Sequence, residues 1–141
     1  MSRKIKFRAW DKRKKWMVYD VQDAYDGLWS ERNSDEINDH YAYVSNFKSF
    51  MYEEEFNFMQ YTNLKDKNGV EIYEGDILMA GDAYLGVIEY HSTRAQFIGR
   101  NIGMSFTEDE YDTLYTKNGR FNSAKVIGNI YENSELLEVS P

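Results

Sequence analysis

Residues 66–80 read Asp66-Lys67-Asn68-Gly69-Val70-Glu71-Ile72-Tyr73-Glu74-Gly75-Asp76-Ile77-Leu78-Met79-Ala80. Asn68-Gly69 is a tight-turn dipeptide, because both residues tolerate positive φ. Val70-Glu71-Ile72-Tyr73 then predicts a short strand, Glu74-Gly75-Asp76 a second turn, and Ile77-Leu78-Met79-Ala80 another strand. A calcium loop is excluded here. With Gly69 at the sixth position of an EF-hand loop, Leu64 and Gly75 would fall at the first and twelfth positions, where acids are required.

Short strands recur on the carboxy-terminal side, over Gly86–His91, Gln96–Gly99 and Lys125–Tyr131. Strands of this length joined by close turns are the material of small closed barrels, whose closure removes unpaired edges. One interruption is expected. Thr107-x-x-Glu110 has the form of a capping box, and Glu108, Asp109 and Glu110 would sit on the positive end of a helix dipole. A short helix is therefore predicted from Thr107 to about Tyr115, with Tyr111, Leu114 and Tyr115 inward, and a last helical turn over Glu135–Leu137.

On the amino-terminal side, Ile5, Phe7 and Ala9 alternate with Lys4, Lys6 and Arg8, the pattern of a half-buried strand with a solvated basic face. Asp11-Lys12-Arg13-Lys14-Lys15 supplies a polar turn, and Trp16 to Val21 a second alternating run, so this segment predicts a β-hairpin. Residues 22–40 read as a loop with a short helix begun by Ser34 or Asp35. Tyr41–Val44 and Phe56–Tyr61 read as strands. Glu53-Glu54-Glu55, between them, reads as a solvated run, since consecutive side chains on an extended segment point to opposite faces.

The chain has 141 residues, 42% apolar and 16% aromatic, with one proline and no cysteine. A chain of this size buries roughly two thirds of its unfolded surface and needs no staple. Thiolate chemistry and disulfides are excluded, and His40 and His91 are too few for a histidine-built zinc site. No apolar run approaches the roughly 20 residues of a membrane span, and the amino terminus lacks the apolar core of a secretory signal. The expected compartment is the cytoplasm, with no membrane partner.

Net charge is −7, yet residues 1–16 hold eight of the 17 basic residues against Asp11 alone, leaving −14 on the other 125. A basic hairpin contacting phosphate through Lys12, Arg13, Lys14 and Lys15, with Trp16 to stack on bases, is one functional reading. Arg94 and Arg100, around Phe97, would extend such a nucleic-acid contact. The plainer reading is that the lysines keep an exposed strand from pairing with another chain. Phosphate-binding Gly-rich loops, G-x-S-x-G and H-E-x-x-H are all missing. His91, in Tyr90-His91-Ser92-Thr93-Arg94, has nucleophile-like neighbours, but adjacent positions on a strand seldom face one another.

The stretch Met59-Gln60-Tyr61-Thr62-Asn63-Leu64-Lys65-Asp66-Lys67-Asn68-Gly69-Val70-Glu71-Ile72-Tyr73-Glu74-Gly75-Asp76-Ile77 resembles the central signature of the YopX family of phage and prophage proteins. Ile5-Lys6-Phe7-Arg8-Ala9-Trp10-Asp11 looks like the family's start, and Val126-Ile127-Gly128-Asn129-Ile130-Tyr131-Glu132-Asn133-Ser134-Glu135-Leu136-Leu137 like its close. Together these anchors cover about 40 of the 141 residues and span the chain in order. Asn63 stands where a glycine is common, Ser134 where a proline is common, and residues from about Asp20 to Tyr52 match poorly. The resemblance implies a phage-encoded, intracellular protein whose carboxy-terminal part is similar to an SH3-like barrel. The family carries no agreed activity or catalytic residues.

The expected architecture is α+β, mainly antiparallel β: an amino-terminal hairpin and sheet over 1–58, then a small SH3-like β-barrel with one short helix over 59–141. The expected function is a non-enzymatic protein-interaction module for a host or phage protein. It has no cofactor, metal or catalytic residues, and leaves room for a homo-oligomer. The alternative is a nucleic-acid-binding accessory protein using the basic hairpin.

Overall fold

The computed structural model describes residues 4–24, 30–44, 46–48, 54–80, 84–93, 95–101, 111–113 and 124–137. The chain forms two compact units, Met1–Tyr61 and Thr62–Pro141. Both are built mainly from antiparallel strands, with very little helix.

In the first unit, β1 (Phe7–Asp11) and β2 (Trp16–Tyr19) form the expected hairpin, with Ala9 opposite Val18 and Asp11 opposite Trp16. The other edge of β1 pairs with β3 (Phe56–Lys65), placing Ala9 opposite Phe58. Ala9, Val18, Val21, Tyr41, Val44 and Phe56 form the core, and Phe7, Trp16 and Phe58 pack around it. The basic face is not wholly solvated. Arg8 is only 3% exposed, because β1 is the middle strand and Tyr19 and Met59 flank Arg8 on the same face, covering its stem. Ile5 lies before the strand begins and is 62% exposed.

Helix α1 (Asp35–His40) starts at Ser34, whose Oγ accepts from the Ile37 N–H at 3.3 Å. Tyr41–Tyr43, expected as strand, is instead a turn that leaves α1, with the Val44 N–H on the Tyr41 carbonyl at 2.9 Å. Tyr41 is buried there as a helix-following anchor rather than as part of a sheet. The free edge of β2 is partly closed by Asn33, whose amide accepts from Tyr19 N–H (2.7 Å) and donates to Tyr19 C=O (2.9 Å), as a neighbouring strand would.

Strand β3 continues past Tyr61, and its last residues lie beside β4 (Glu71–Tyr73) in the second unit. Asn63 interrupts it at φ 69°, in the left-handed region. Thr62 bridges the irregularity, donating Oγ1–H to the Ile72 carbonyl (2.7 Å) and accepting from the Leu64 N–H (3.1 Å). A residue with positive φ is where glycine, or failing that asparagine, fits at least cost.

The second unit also holds a five-stranded antiparallel sheet in the order β8-β7-β6-β5-β9. Its strands are β5 (Asp76–Ala80), β6 (Tyr84–His91), β7 (Gln96–Asn101), β8 (Tyr111–Thr113) and β9 (Lys125–Asn129). A four-strand meander is thus joined at its first strand by the last, a barrel-like arrangement. Ile72, Leu78, Ile88 and Ala124 form its core, with Leu64, Phe97 and Val126 against it. The helix expected over Thr107–Tyr115 is not what residues 111–113 form. They are strand β8, with Arg100 opposite Tyr111, because pairing to β7 and the β-favouring Tyr and Thr outweigh the local capping signal. The rest of that span, like Asn118-Gly119, lies outside the described residues.

Two turns set the sheet's register. Gly75, at φ 84°, lets its N–H reach Ile88 C=O (2.8 Å) and its own carbonyl accept from Ile130 N–H (2.9 Å). In β9 the register shifts between Ile77 and Leu78, which face Gly128 and Val126, so Ile127 is the extra residue of a bulge. Beside it, a Cβ on Gly128 would come within 2.6 Å of Asn133 Cγ. Asn133 lies there because its Oδ1 accepts from the Asn129 N–H at 3.1 Å. Asn129 in turn accepts from the Tyr131 and Glu132 N–H groups, which locks the turn before the 3-10 segment Ser134–Leu137.

Candidate functional site

The β1–β2 turn is built around one carboxylate. Asp11 is 3% exposed, and its Oδ1 accepts from the backbone N–H of Arg13 (2.9 Å) and Lys14 (3.0 Å). The Lys15 N–H closes on the Asp11 carbonyl at 2.8 Å, with Lys15 at φ 57°. A short polar side chain at the start of a turn does this work commonly. Asp11 Oδ2 accepts from the Tyr41 hydroxyl, and that hydroxyl accepts from Trp16 Nε1 at 2.8 Å. Burial first, and then the hydrogen bond to Asp11, push the Tyr41 hydroxyl far above the ordinary tyrosine range. Tyr41 therefore stays a donor, and the negative charge of Asp11 faces inward.

The basic side chains of the turn point to solvent. Arg13, 77% exposed, reaches Glu55 at 3.6 Å, a pairing of little energetic weight at such exposure. Lys12 Nζ donates to the Glu54 carbonyl at 3.4 Å, and Lys14 Nζ stands 4.9 Å above the Trp16 ring. Trp16 also stands edge to face with His40 and Tyr41, with ring centroids 5.5 and 6.2 Å away. Lys14, His40 and Tyr41 thus take up much of the surroundings of the Trp16 ring.

Arg100 belongs to the second unit, where its Nε donates to Glu89 Oε2 at 2.8 Å across β6 and β7. Arg94 lies outside the described residues. His91 stands opposite Gln96 at the end of β6, and Ser92 and Thr93 follow it in an exposed turn. On the other face of this hairpin, Tyr90 pairs with Phe97, their rings edge to face at 5.3 Å. Directly opposed residues share a face of the sheet, so Tyr90, 48% exposed, stands on the same face as Phe97, which packs against the core.

Two aspartates of the turns read from the sequence, Asp66 and Asp76, hold those turns through their side chains. Asp66 accepts from the Asn68 and Val70 N–H groups through Oδ1 (2.8 and 2.9 Å) and from the Val126 N–H through Oδ2 (2.9 Å). Burial raises its carboxyl, but the three donors and Lys67 outweigh that and hold it below the ordinary aspartate value. Asp76, which is buried, accepts from the Tyr73 N–H at 2.7 Å. An aspartate within a turn that carries glycine, as in Asp66-Lys67-Asn68-Gly69 and Glu74-Gly75-Asp76, is the sequence signal for such contacts.

Among the described residues no helix is long and apolar enough to cross a membrane. The chain matches the family model described as YopX protein over residues 6–138. No curated protein matches it. It is similar to a solved structure, the crystal structure of protein EF1440 from Enterococcus faecalis. The two are 28% identical with a TM-score of 0.57, over 97% of this chain and 100% of that one. Residues 6–138 take in all three segments of the resemblance apart from Ile5, and the chain belongs to the YopX family.

Proposed function

We propose that this protein is a non-enzymatic protein-interaction module, phage-encoded and acting in the cytoplasm of a bacterial host. The observation that carries the reading is the Tyr90–Phe97 pair. A tyrosine that is 48% exposed yet braced by an aromatic ring packed against the core supplies contact area at low entropic cost, the profile of an interface anchor. The strand order β8-β7-β6-β5-β9 supports reading this unit as an SH3-like barrel, an architecture that commonly offers aromatic side chains to peptide segments. That second support is an analogy of fold and weighs less. The non-enzymatic half of the reading rests on how the acids are employed: Asp11, Asp66 and Asp76 each accept backbone N–H groups as parts of turns.

The test is a photo-crosslinking amino acid placed at position 90 of the full chain and activated in host cells. A discrete, nuclease-resistant protein adduct, lost when the crosslinker is moved to the β2 face at Tyr19, supports the reading. Absence of any adduct from position 90, or one removed by nuclease, contradicts it.

A further inference from the structure

We infer that the β1–β2 turn is a preformed, sequence-independent contact for the phosphate backbone of a single-stranded nucleic acid, made by Lys12, Lys14 and Lys15 with Arg13 beside them. The inference is independent of the protein-interaction reading, which concerns the other unit. Three observations support it. The turn is fixed in advance: Asp11 holds the Arg13 and Lys14 amides and Lys15 closes on its carbonyl, so binding need not order the loop. The one acid of the segment is turned inward onto Tyr41, and it does not pair with the lysines. Among the described residues no carboxylate pairs with Lys12, Lys14 or Lys15.

Lysine ammoniums are rotatable point charges, and three of them on one exposed turn suit sequence-independent contact with the closely spaced phosphates of a single strand. Arg13, whose pairing with Glu55 is long and exposed, lies beside them. Because Lys14, His40 and Tyr41 take up the surroundings of Trp16, the contact is with the backbone and not by base stacking. A thin strand also fits better than an anionic membrane. The other 125 residues carry −14, and an extended negative plane would meet that charge as well.

Fluorescence anisotropy of a labelled 20-nucleotide oligo-dT, titrated with the full chain, tests this. Three to four phosphate contacts predict a log–log salt slope of about −2 to −3, so affinity falls roughly 20- to 50-fold between 50 and 200 mM salt. The triple variant Lys12→Gln, Lys14→Gln, Lys15→Gln should lose at least about tenfold in affinity at 50 mM salt while keeping the wild-type melting temperature. Arg100→Gln should bind as wild type, and an unrelated oligonucleotide of equal length should bind within about twofold of oligo-dT. Failure to bind at 50 mM salt, unchanged binding by the triple variant, equal competition by a poly-glutamate peptide, or equal binding to phosphatidylserine vesicles would each overturn the inference.

Discussion

The Tyr41 hydroxyl donates to Asp11 Oδ2, joining the residue that leaves helix α1 to the residue that opens the basic turn. The bond spans 30 positions of sequence and ties a buried anion to a buried phenol. Trp16 Nε1 completes the chain on the other side of the phenol. Tyr41→Phe keeps the ring but leaves Asp11 Oδ2 and Trp16 Nε1 short of a partner. It should cost about 1–3 kcal/mol, read as a lower denaturation midpoint with an unchanged slope.

Stability should fall in acid partly through Asp66. Its carboxyl is held below the ordinary value of 3.8 in the folded chain, so the unfolded chain binds its proton first. The contribution is complete above that ordinary value and is lost as pH drops through the lower folded value. Asp66→Ala removes three acceptor contacts from backbone N–H groups and should cost about 1–2 kcal/mol at pH 7. Urea unfolding between pH 2.5 and 6 should show a flatter acid limb for the variant than for wild type.

Gly128→Ala should cost about 1–3 kcal/mol, since a methyl there overlaps the Asn133 side chain. Asn133→Ala alone costs its hydrogen bond to the Asn129 N–H. The double variant should therefore be destabilised by less than the two single changes added together, because the amide is gone and only the contact with the residue-133 Cβ, at 2.9 Å, remains. Additive costs in the double-mutant cycle would contradict the packing argument.

Asn63, at φ 69°, should accept glycine without loss and reject a β-branched residue. Asn63→Gly is expected to melt at or slightly above the wild-type temperature, whereas Asn63→Val should lose about 1–3 kcal/mol. Equal melting of the glycine and valine variants would mean that β3 runs regularly through Asn63.

Much of the fold was legible because local signals and tertiary pairing agree. Alternation in Phe7–Asp11 and Trp16–Tyr19 marked the hairpin, Ser34 marked the start of α1, and the glycines at 69 and 75 marked two turns where φ is positive. Errors arose where a distant partner overrides a local preference. The capping pattern at Thr107 suggested helix, yet residues 111–113 pair with β7. Aromatic Tyr41–Tyr43 suggested strand, yet Tyr41 is a turn residue drawn inward by Asp11 and Trp16. Arg8 looked solvated because alternation does not reveal that Tyr19 and Met59 close over it.

The candidate site was less legible than the fold. The basic run itself is plain in the sequence, but Asp11 reads there as one acid among eight basic residues. Only the structure shows it accepting the Arg13 and Lys14 amides. Likewise Arg100 looked available, and its commitment to Glu89 depends on a cross-strand register that spacing alone does not fix.

Amide hydrogen exchange at Arg13 and Lys14, as protection factors for wild type and Asp11→Ala, tests most directly whether a buried carboxylate sets the basic turn. Both amides should be protected in the wild type and lose that protection in the variant, while Ala9 and Trp10 in β1 keep theirs. Equal protection of Arg13 and Lys14 in the two proteins would show that the turn holds its shape without Asp11, and the account of its organisation would be wrong.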